Sequence, residues 1–555
     1  MRRFVFVLFA ICLAAPLAAA GPRPACSWPM YAHDAGHSGA QDPACTELSR
    51  TTVATLRPAW GILTPDNITA TPAVAGGILY VGSWDGTFYA VDAKSGKVHW
   101  SYRIDDSNRV AFGRIVSTAA VDRMAVPGVG DVGVVLFGGG GTLYALAPGR
   151  AGPRVLAKIG VDPRDEALRK AQRDDPPQIE IESSPVVGHL PHGDRVFVGM
   201  DVHNRDGVGR TGLLSFALVP NPGGTTPFRF ELDFKFDPET GSVTRSLTEG
   251  SGMGLGCGGV WSSPALDPSA RGGNGLVYFG TSNCDSPRES FDAGEVGREA
   301  LFAIDATTGQ EVWRFQPRRP NDLDDDFGSS PNLLPGGLVG EGGKDGWYYA
   351  RDRETGAEAW RTHAAQSGHL NPGFALGGYL GTGAVGRSRD PLTGVVRNAV
   401  FIASAIPTPI AQPIDGLPGP GNVDWSLLRD PARLFSLSAL DAATGAVLWR
   451  SPLSVPAYGH VTYANGVVLA SMTFGVRLQA FDADTGATLW AMPTFGAPSS
   501  APAVVGDMVY VGAGTRETDA EFKAFGDRLQ RLLSGPLGAH PLSRLSGIFA
   551  YRLTP

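Results

Sequence analysis

The chain has 555 residues and a formal charge of -7 at pH 7. Its 43% hydrophobic content excludes a disordered polymer, and mild acidity without a basic stripe excludes a nucleic-acid surface, since phosphate neutralisation needs concentrated Lys and Arg. With 74 Gly and 43 Pro the chain is rich in turns, so a repeat architecture can hold this length in one body.

In chain order, the first segment reads as an export signal. Met1-Arg2-Arg3 is basic, Phe4 to Ala15 is apolar, and Ala18-Ala19-Ala20 suits cleavage before Gly21. The apolar run is short for a membrane span, and no later stretch approaches that length. Residues 1–20 are therefore expected to be a signal peptide and 21–555 a single secreted or periplasmic domain. In such an oxidising compartment the four remaining cysteines, Cys26, Cys45, Cys257 and Cys284, are expected to form two disulfides. Sequence neighbourhood favours Cys26–Cys45 and Cys257–Cys284 among three pairings. No CxxCH occurs, so no attached haem is expected, and no His/Cys spacing suggests zinc.

One eleven-residue phrase recurs, Ala-x-Asp-x-x-(Ser/Thr)-Gly-x-x-x-Trp. It ends at Trp100, Trp313, Trp360, Trp449 and Trp490. Alternating apolar residues enter as a strand, Asp with Thr/Ser-Gly makes a tight turn, and the second strand ends in a Trp able to cover the neighbouring unit. A second phrase lies about twenty residues upstream, a spacing that a four-stranded unit allows. It joins Ser/Thr-Pro to a short apolar run, a turn and Val-Tyr-Val-Gly. TPAVAGGILYVGSWDG from Thr71 shows it whole, and Ser263-Pro264 and Ala501-Pro502 begin further copies.

Together the phrases give four short antiparallel strands, one propeller blade. Eight units start near residues 69, 115, 183, 260, 328, 398, 461 and 500. Seven stay open, because the third and sixth are irregular. The last unit lacks an outer strand, which LRPAWGI around Trp60 would supply against the C-terminal GIFAYRL. The expected fold is thus all-β, an eight-bladed β-propeller with N- and C-terminal strands closing the ring. Three insertions decorate it: a charged one at 162–177, a Pro-rich one at 407–422, and an amphipathic helix from Thr518 to Leu533 with Glu521 in its capping box.

The Trp-docking phrase in eight units resembles that of the quinoprotein, PQQ-dependent alcohol dehydrogenases. The opening Trp28-Pro29-Met30-Tyr31-x-x-Asp34 is similar to the start of those enzymes. VWSSPA at 260–265, DFGSSP at 326–331 and the Gly342–Ala350 phrase resemble the polyvinyl-alcohol dehydrogenase branch. The resemblance covers nearly the whole chain after the signal. It implies oxidation of a primary or secondary alcohol, polymeric ones included, with PQQ and calcium as cofactors and no haem. Electrons would pass to a separate periplasmic cytochrome.

The same resemblance implies roles for five residues. Trp261 matches the floor on which the quinone stacks. Lys344 matches the cation at the quinone oxygens. Arg114 matches a residue that meets a PQQ carboxylate. Asn283 matches a calcium ligand. Asp322 matches the catalytic base for the alcohol proton, with Asp324 as its alternative.

Departures accompany the likeness. No two cysteines are adjacent, so the family's vicinal disulfide is absent. Thr69 replaces the first-blade acid before Thr-Pro. The third-blade glutamate is missing after VFVG, where Asp201 could stand in with a shorter arm. These departures keep a second function open: a non-catalytic propeller that binds protein or a small ligand.

Overall fold

The computed structural model describes residues 26–106, 110, 113–161, 178–203, 211–247, 258–282, 299–317, 325–365, 377–405, 435–514 and 544–554. Half of the architecture follows from the repeat. Each unit folds as an antiparallel sheet, as in blade 1, which runs Ala73–Ala75, Ile78–Gly82, Thr87–Asp92 and Val98–Arg103 from axis to rim. The innermost strands of blades 2 to 8 are Ala120–Val126, Val186–Gly188, Ala265–Asp267, Asn332–Leu334, Ala384–Arg389, Thr462–Ala464 and Ala503–Val505. They touch in sequence order and the eighth meets the first, so eight blades close the ring.

Closure occurs as the sequence suggests. Leu56–Leu63 pairs with Gly547–Leu553 as the outer strand of blade 8, with Trp60 opposite Ala550. Seven unit starts agree to a few residues. The sixth does not: residue 398 lies in the second strand, Val396–Ala403, and the innermost strand is Ala384–Arg389. Thr382-Gly383 lacks the expected Pro, and AVGRSR carries two arginines, so this strand has no apolar signature. Blade 3 owes its irregularity to extra strands at Gln178–Glu180 and Ser242–Thr244. The three insertions expected at 162–177, 407–422 and Thr518–Leu533 fall outside the described residues, wholly or nearly so.

The Trp phrase works as its residue types imply. The indole Nε1–H of Trp60, Trp100, Trp313, Trp360 and Trp449 each donates to a backbone carbonyl of the next blade, at 2.8–3.2 Å. For all of these but Trp100 the ring lies against the turn glycine of that blade. A Cβ on Gly96 or Gly356 would come within 2.7 Å of the Trp60 or Trp313 ring, and both glycines sit at positive φ, +74° and +69°. Phe234 takes the same place against Gly309 in blade 3.

The Ser-Ser-Pro phrase locks the centre. Its first Ser bonds within the blade: Ser183, Ser262 and Ser329 accept the N–H of Gly199, Gly280 and Gly342 at 2.9–3.1 Å. Its second position bonds between blades. The N–H groups of Thr71, Thr118, Ser184, Ser263 and Ser330 donate at 2.8–3.0 Å to the hydroxyls of Thr118, Ser184, Ser263, Ser330 and Thr382. The result is a girdle of buried hydrogen bonds around the axis. His460 fills the same position in blade 7, its Nε2 3.2 Å from Thr71 Oγ1.

The segment from Trp28 to Gln41 winds around the axis beneath this girdle. Its carbonyls at Trp28, Pro29, Ala35, Gly36, Ser38 and Gly39 accept N–H groups from the innermost strands of six blades, at 2.7–2.9 Å. All six donors sit three residues after the girdle position: Val74, Val121, Leu266, Leu333, Val385 and Tyr463. Open strand edges are thereby paired rather than left in the channel. Asp34 explains part of the opening motif, since its Oδ1 accepts the N–H groups of Gly36 and Ser38 and shapes the winding backbone. A disulfide joins Cys26 to Cys45, as neighbourhood suggests; Cys257 and Cys284 lie outside the described residues. No helix among the described residues is long and apolar enough to cross a membrane.

Candidate functional site

The register of second strands decides what lines the axis at the end away from the winding segment. Ala73, Ala120, Val186, Ala265, Asn332, Ala384, Thr462 and Ala503 pair with Tyr80, Leu136, Phe197, Tyr278, Gly340, Phe401, Leu469 and Tyr510. Four residues beyond those partners each blade reaches the mouth. That position holds Trp84, Gly140, Asp201, Ser282, Lys344, Ala405, Thr473 and Gly514 in blades 1 to 8. Lys344 and Asp201, remote in sequence, thus belong to one tier.

A lower tier lies two residues before the girdle. It holds Thr69, Val116, Glu182, Trp261, Gly328, Leu380, Tyr458 and Ser499. Trp261 is therefore no docking residue of the repeat phrase. It is partly buried, and the Lys344 ammonium lies 5.6 Å from its ring centroid, a cation–π contact. Lys344 is itself held: its Nζ donates to Asp326 Oδ2 and its backbone N–H to the Asp326 carbonyl, each at 2.9 Å. The ion pair is sealed, with side chains 9% and 4% exposed. The structure thus brings together two of the five expected site residues.

Arg114 is at the mouth of blade 2, in the position that Asp326 occupies in blade 5, four residues before the girdle. Its guanidinium donates to the Asp106 carbonyl and its backbone N–H to the Trp84 carbonyl. Asn283 and Asp322, with Asp324, lie outside the described residues. Ser282, beside Asn283, and Asp201 both crowd Gly259: a Cβ there would stand 2.6 Å from Ser282 Oγ and 1.8 Å from Asp201 Oδ1. So Asp201 stands at the mouth next to the Ser282 turn. Among the described residues no three His, Cys, Asp or Glu side chains converge to hold a metal.

Three further features escaped the sequence. Glu299 is fully buried with a left-handed backbone at φ +47°; its N–H donates to the Ser282 carbonyl and its Oε1 accepts the Asp325 N–H. Such strain clusters at functional sites. Glu341 occupies a strand slot that holds Val81, Phe137, Val198, Phe279, Ile402, Ala470 and Val511 in the other blades. It is fully buried against Gly280, neither carboxyl oxygen has a hydrogen-bond partner, and burial pushes its carboxyl well above the usual range. Burial therefore favours its neutral form.

On the axis below Trp261, Tyr31 stands edge-on to both His37 and His460, with centroids 5.1 Å away. Its hydroxyl is 2.8 Å from Thr382 Oγ1. Burial lowers both imidazoles to about 4, despite the Pro331 carbonyl at His37 and the Val461 carbonyl at His460. The two imidazoles beneath Trp261 are thus uncharged at neutral pH.

A PQQ group fits this arrangement on one observation: an indole of the lower tier lies beside a buried, fixed ammonium of the upper tier. Trp261 offers a flat face and Lys344 a charge at its edge. The described residues supply no comparable set for calcium.

Comparison with known proteins agrees with this geometry. The family model for the glucose/ethanol/alcohol dehydrogenase β-propeller domain matches residues 28–366, and that for the outer membrane protein assembly factor BamB matches 433–546. The chain is 23% identical over 371 residues to a quinate/shikimate dehydrogenase (quinone) of Acinetobacter baylyi, covering 60% of this chain and 43% of that one. It is 26% identical over 370 residues to a polyvinylalcohol dehydrogenase of Sphingopyxis sp., covering 59% and 48%. The chain spans about half the length of the curated relatives it matches. Among solved structures, a quinohemoprotein alcohol dehydrogenase of Pseudomonas putida superposes with a TM-score of 0.64 at 18% identity, covering 95% of this chain and 80% of that one. One from Comamonas testosteroni gives 0.63 at 16%, with the same coverage. These structural likenesses bear on the fold.

Proposed function

Because the chain belongs to the glucose/ethanol/alcohol dehydrogenase β-propeller family, we propose that it is a quinoprotein that oxidises an alcohol. The observation that carries the reading is the Lys344 ammonium, fixed by Asp326 and standing 5.6 Å from the Trp261 ring centroid. PQQ, when bound, supplies a two-electron acceptor for the hydride of the alcohol carbon. Trp261 gives it a flat apolar face, and Lys344 stabilises negative charge on oxygens at its edge. Asp326 holds the ammonium there so that no reorganisation is needed. The girdle and the winding segment lie beneath the site along the axis.

Three assignments complete the reading. Asp322, with Asp324 as alternative, takes the hydroxyl proton as general base. Asn283 contributes to a calcium site, with Asp201 beside the adjacent Ser282 as a second oxygen donor. Arg114 meets a carboxylate of the cofactor. Residues 1–20 export the chain, 21–555 form the single propeller, and the electrons go to a separate periplasmic cytochrome. The substrate class is an alcohol of primary or secondary type, polymeric ones included, by analogy with the relatives.

Reconstitution tests this. Purified protein with PQQ and calcium is expected to hold the quinone absorbance through gel filtration and to reduce a dye with some member of an alcohol panel. No retained quinone at micromolar protein overturns the reading. It would leave a non-catalytic propeller, which the match of residues 433–546 to an assembly-factor family favours as the second reading.

A further inference from the structure

We infer that Trp84 is a ligand-contacting wall of the axial mouth, opposite Lys344, and that the mouth takes a planar conjugated anion spanning the two. The inference rests on the function proposed above and adds a contact residue to that site. Trp84 and Lys344 hold the same register position in blades 1 and 5. In a ring of eight whose blades touch in sequence order, these two blades are diametrically opposed. The other six positions of the tier carry Gly140, Asp201, Ser282, Ala405, Thr473 and Gly514. Trp84 is therefore the one large apolar group of the tier and Lys344 its one cation.

The indole is fixed rather than draped. Its Nε1–H donates to Thr69 Oγ1 at 2.7 Å. Its backbone N–H donates to the Asn67 carbonyl at 2.9 Å, and its carbonyl accepts the Arg114 N–H at 3.0 Å. The pyrrole face of the ring lies on Gly113, where a Cβ would come within 2.1 Å of an indole carbon, so any ligand meets the opposite face. Thr69 belongs to the same lower tier as Trp261, so Trp84 is anchored to the level of the floor.

The docking phrase does not call for this Trp. Inter-blade docking in blade 1 is done by Trp100, whose Nε1–H reaches the Gly149 carbonyl. The seven other blades carry smaller groups or Lys344 at this position. Trp84 remains partly exposed at the mouth. A rigid aromatic plane loses little freedom when a ligand meets it. An apolar wall facing a cation across a gap, with a second indole below, selects a flat ligand with its negative end at Lys344 and its apolar end at Trp84.

The test is a titration of the full chain with PQQ in the presence of calcium, read by quinone absorbance and by quenching of tryptophan emission. Trp84→Ala is expected to weaken binding by about tenfold, and Trp84→Phe to restore most of it. Thr69→Val, which frees the indole without removing it, is expected to fall between them. Urea midpoints close to wild type in all three separate this from a folding defect. Equal affinity in Trp84→Ala and wild type overturns the inference while leaving the function intact, provided Trp261→Ala still loses the ligand. If wild type binds no PQQ, the proposed function falls and the inference with it.

Discussion

Lys344 and Asp326 are tied twice, ammonium to carboxylate and backbone N–H to backbone carbonyl, each at 2.9 Å. Neither side chain is more than 9% exposed. A buried charge that loses its partner is costly, because water cannot replace the lost field. Asp326→Asn is therefore expected to lower unfolding free energy by about 3–5 kcal/mol in urea titrations. Adding Lys344→Met to it should recover part of that loss. If the double variant loses the sum of the two single losses, the pair is not coupled.

Glu341 makes a prediction of opposite character. Burial holds its carboxyl above its ordinary 4.5 in the fold, while the unfolded chain leaves it at its ordinary value. Folding therefore takes up a proton, and stability is expected to decline as pH rises above 4.5, levelling off beyond the folded-state value. Glu341→Gln should remove this slope. Glu341→Leu, restoring the apolar character of the slot, should raise stability at pH 8 by about 1–3 kcal/mol. A Leu variant less stable than wild type at pH 8 would refute the neutral-acid assignment.

His37 and His460 oppose it at the acid end. Their folded values are about 4 against an ordinary 6.5, so the unfolded chain binds protons that the fold excludes. Their contribution is full above pH 6.5 and is lost as pH falls toward 4, below which it levels off. His460→Gln should flatten the acid limb of a midpoint-against-pH curve. An unchanged limb would place the titrating groups elsewhere.

The girdle predicts a residue-specific cost. Ser263→Ala removes the acceptor of the Ser184 N–H and leaves that amide buried and unpaired. The expected loss is about 1–3 kcal/mol, measured by urea denaturation. Ser263→Thr should be tolerated, since Thr71, Thr118 and Thr382 hold the same position in other blades. A Thr variant as unstable as the Ala variant would mean that the hydroxyl is not what matters.

Much of the fold was legible in the residues because its signals are local. Asp92 with Ser95-Gly96, or Asp352 with Thr355-Gly356, specifies a turn within a few residues, and the Trp that follows can only be satisfied by a neighbouring unit. Five copies of that phrase among eight four-stranded units imply a ring, and the orphan strand around Trp60 implies its closure. The sixth blade was misplaced for the same reason. Its innermost strand pairs by backbone register at Ala384–Arg389, with no apolar pattern to announce it.

The candidate site was legible only in part. Trp261 and Lys344 could be singled out by resemblance, but nothing local says that they touch. Trp84, Asp201 and Lys344 become one tier only when register and ring closure bring equivalent positions of different blades to the axis. Glu341 reads as an ordinary polar residue until packing against Gly280 buries it. The sequence by itself determined the repeating unit, because turns and strands are set by short-range sterics and hydrogen bonding. Only the tertiary structure decided which residues share the mouth and which carry a proton or a buried charge, because those depend on neighbours that local sequence does not bring together and on the water that closing the ring removes.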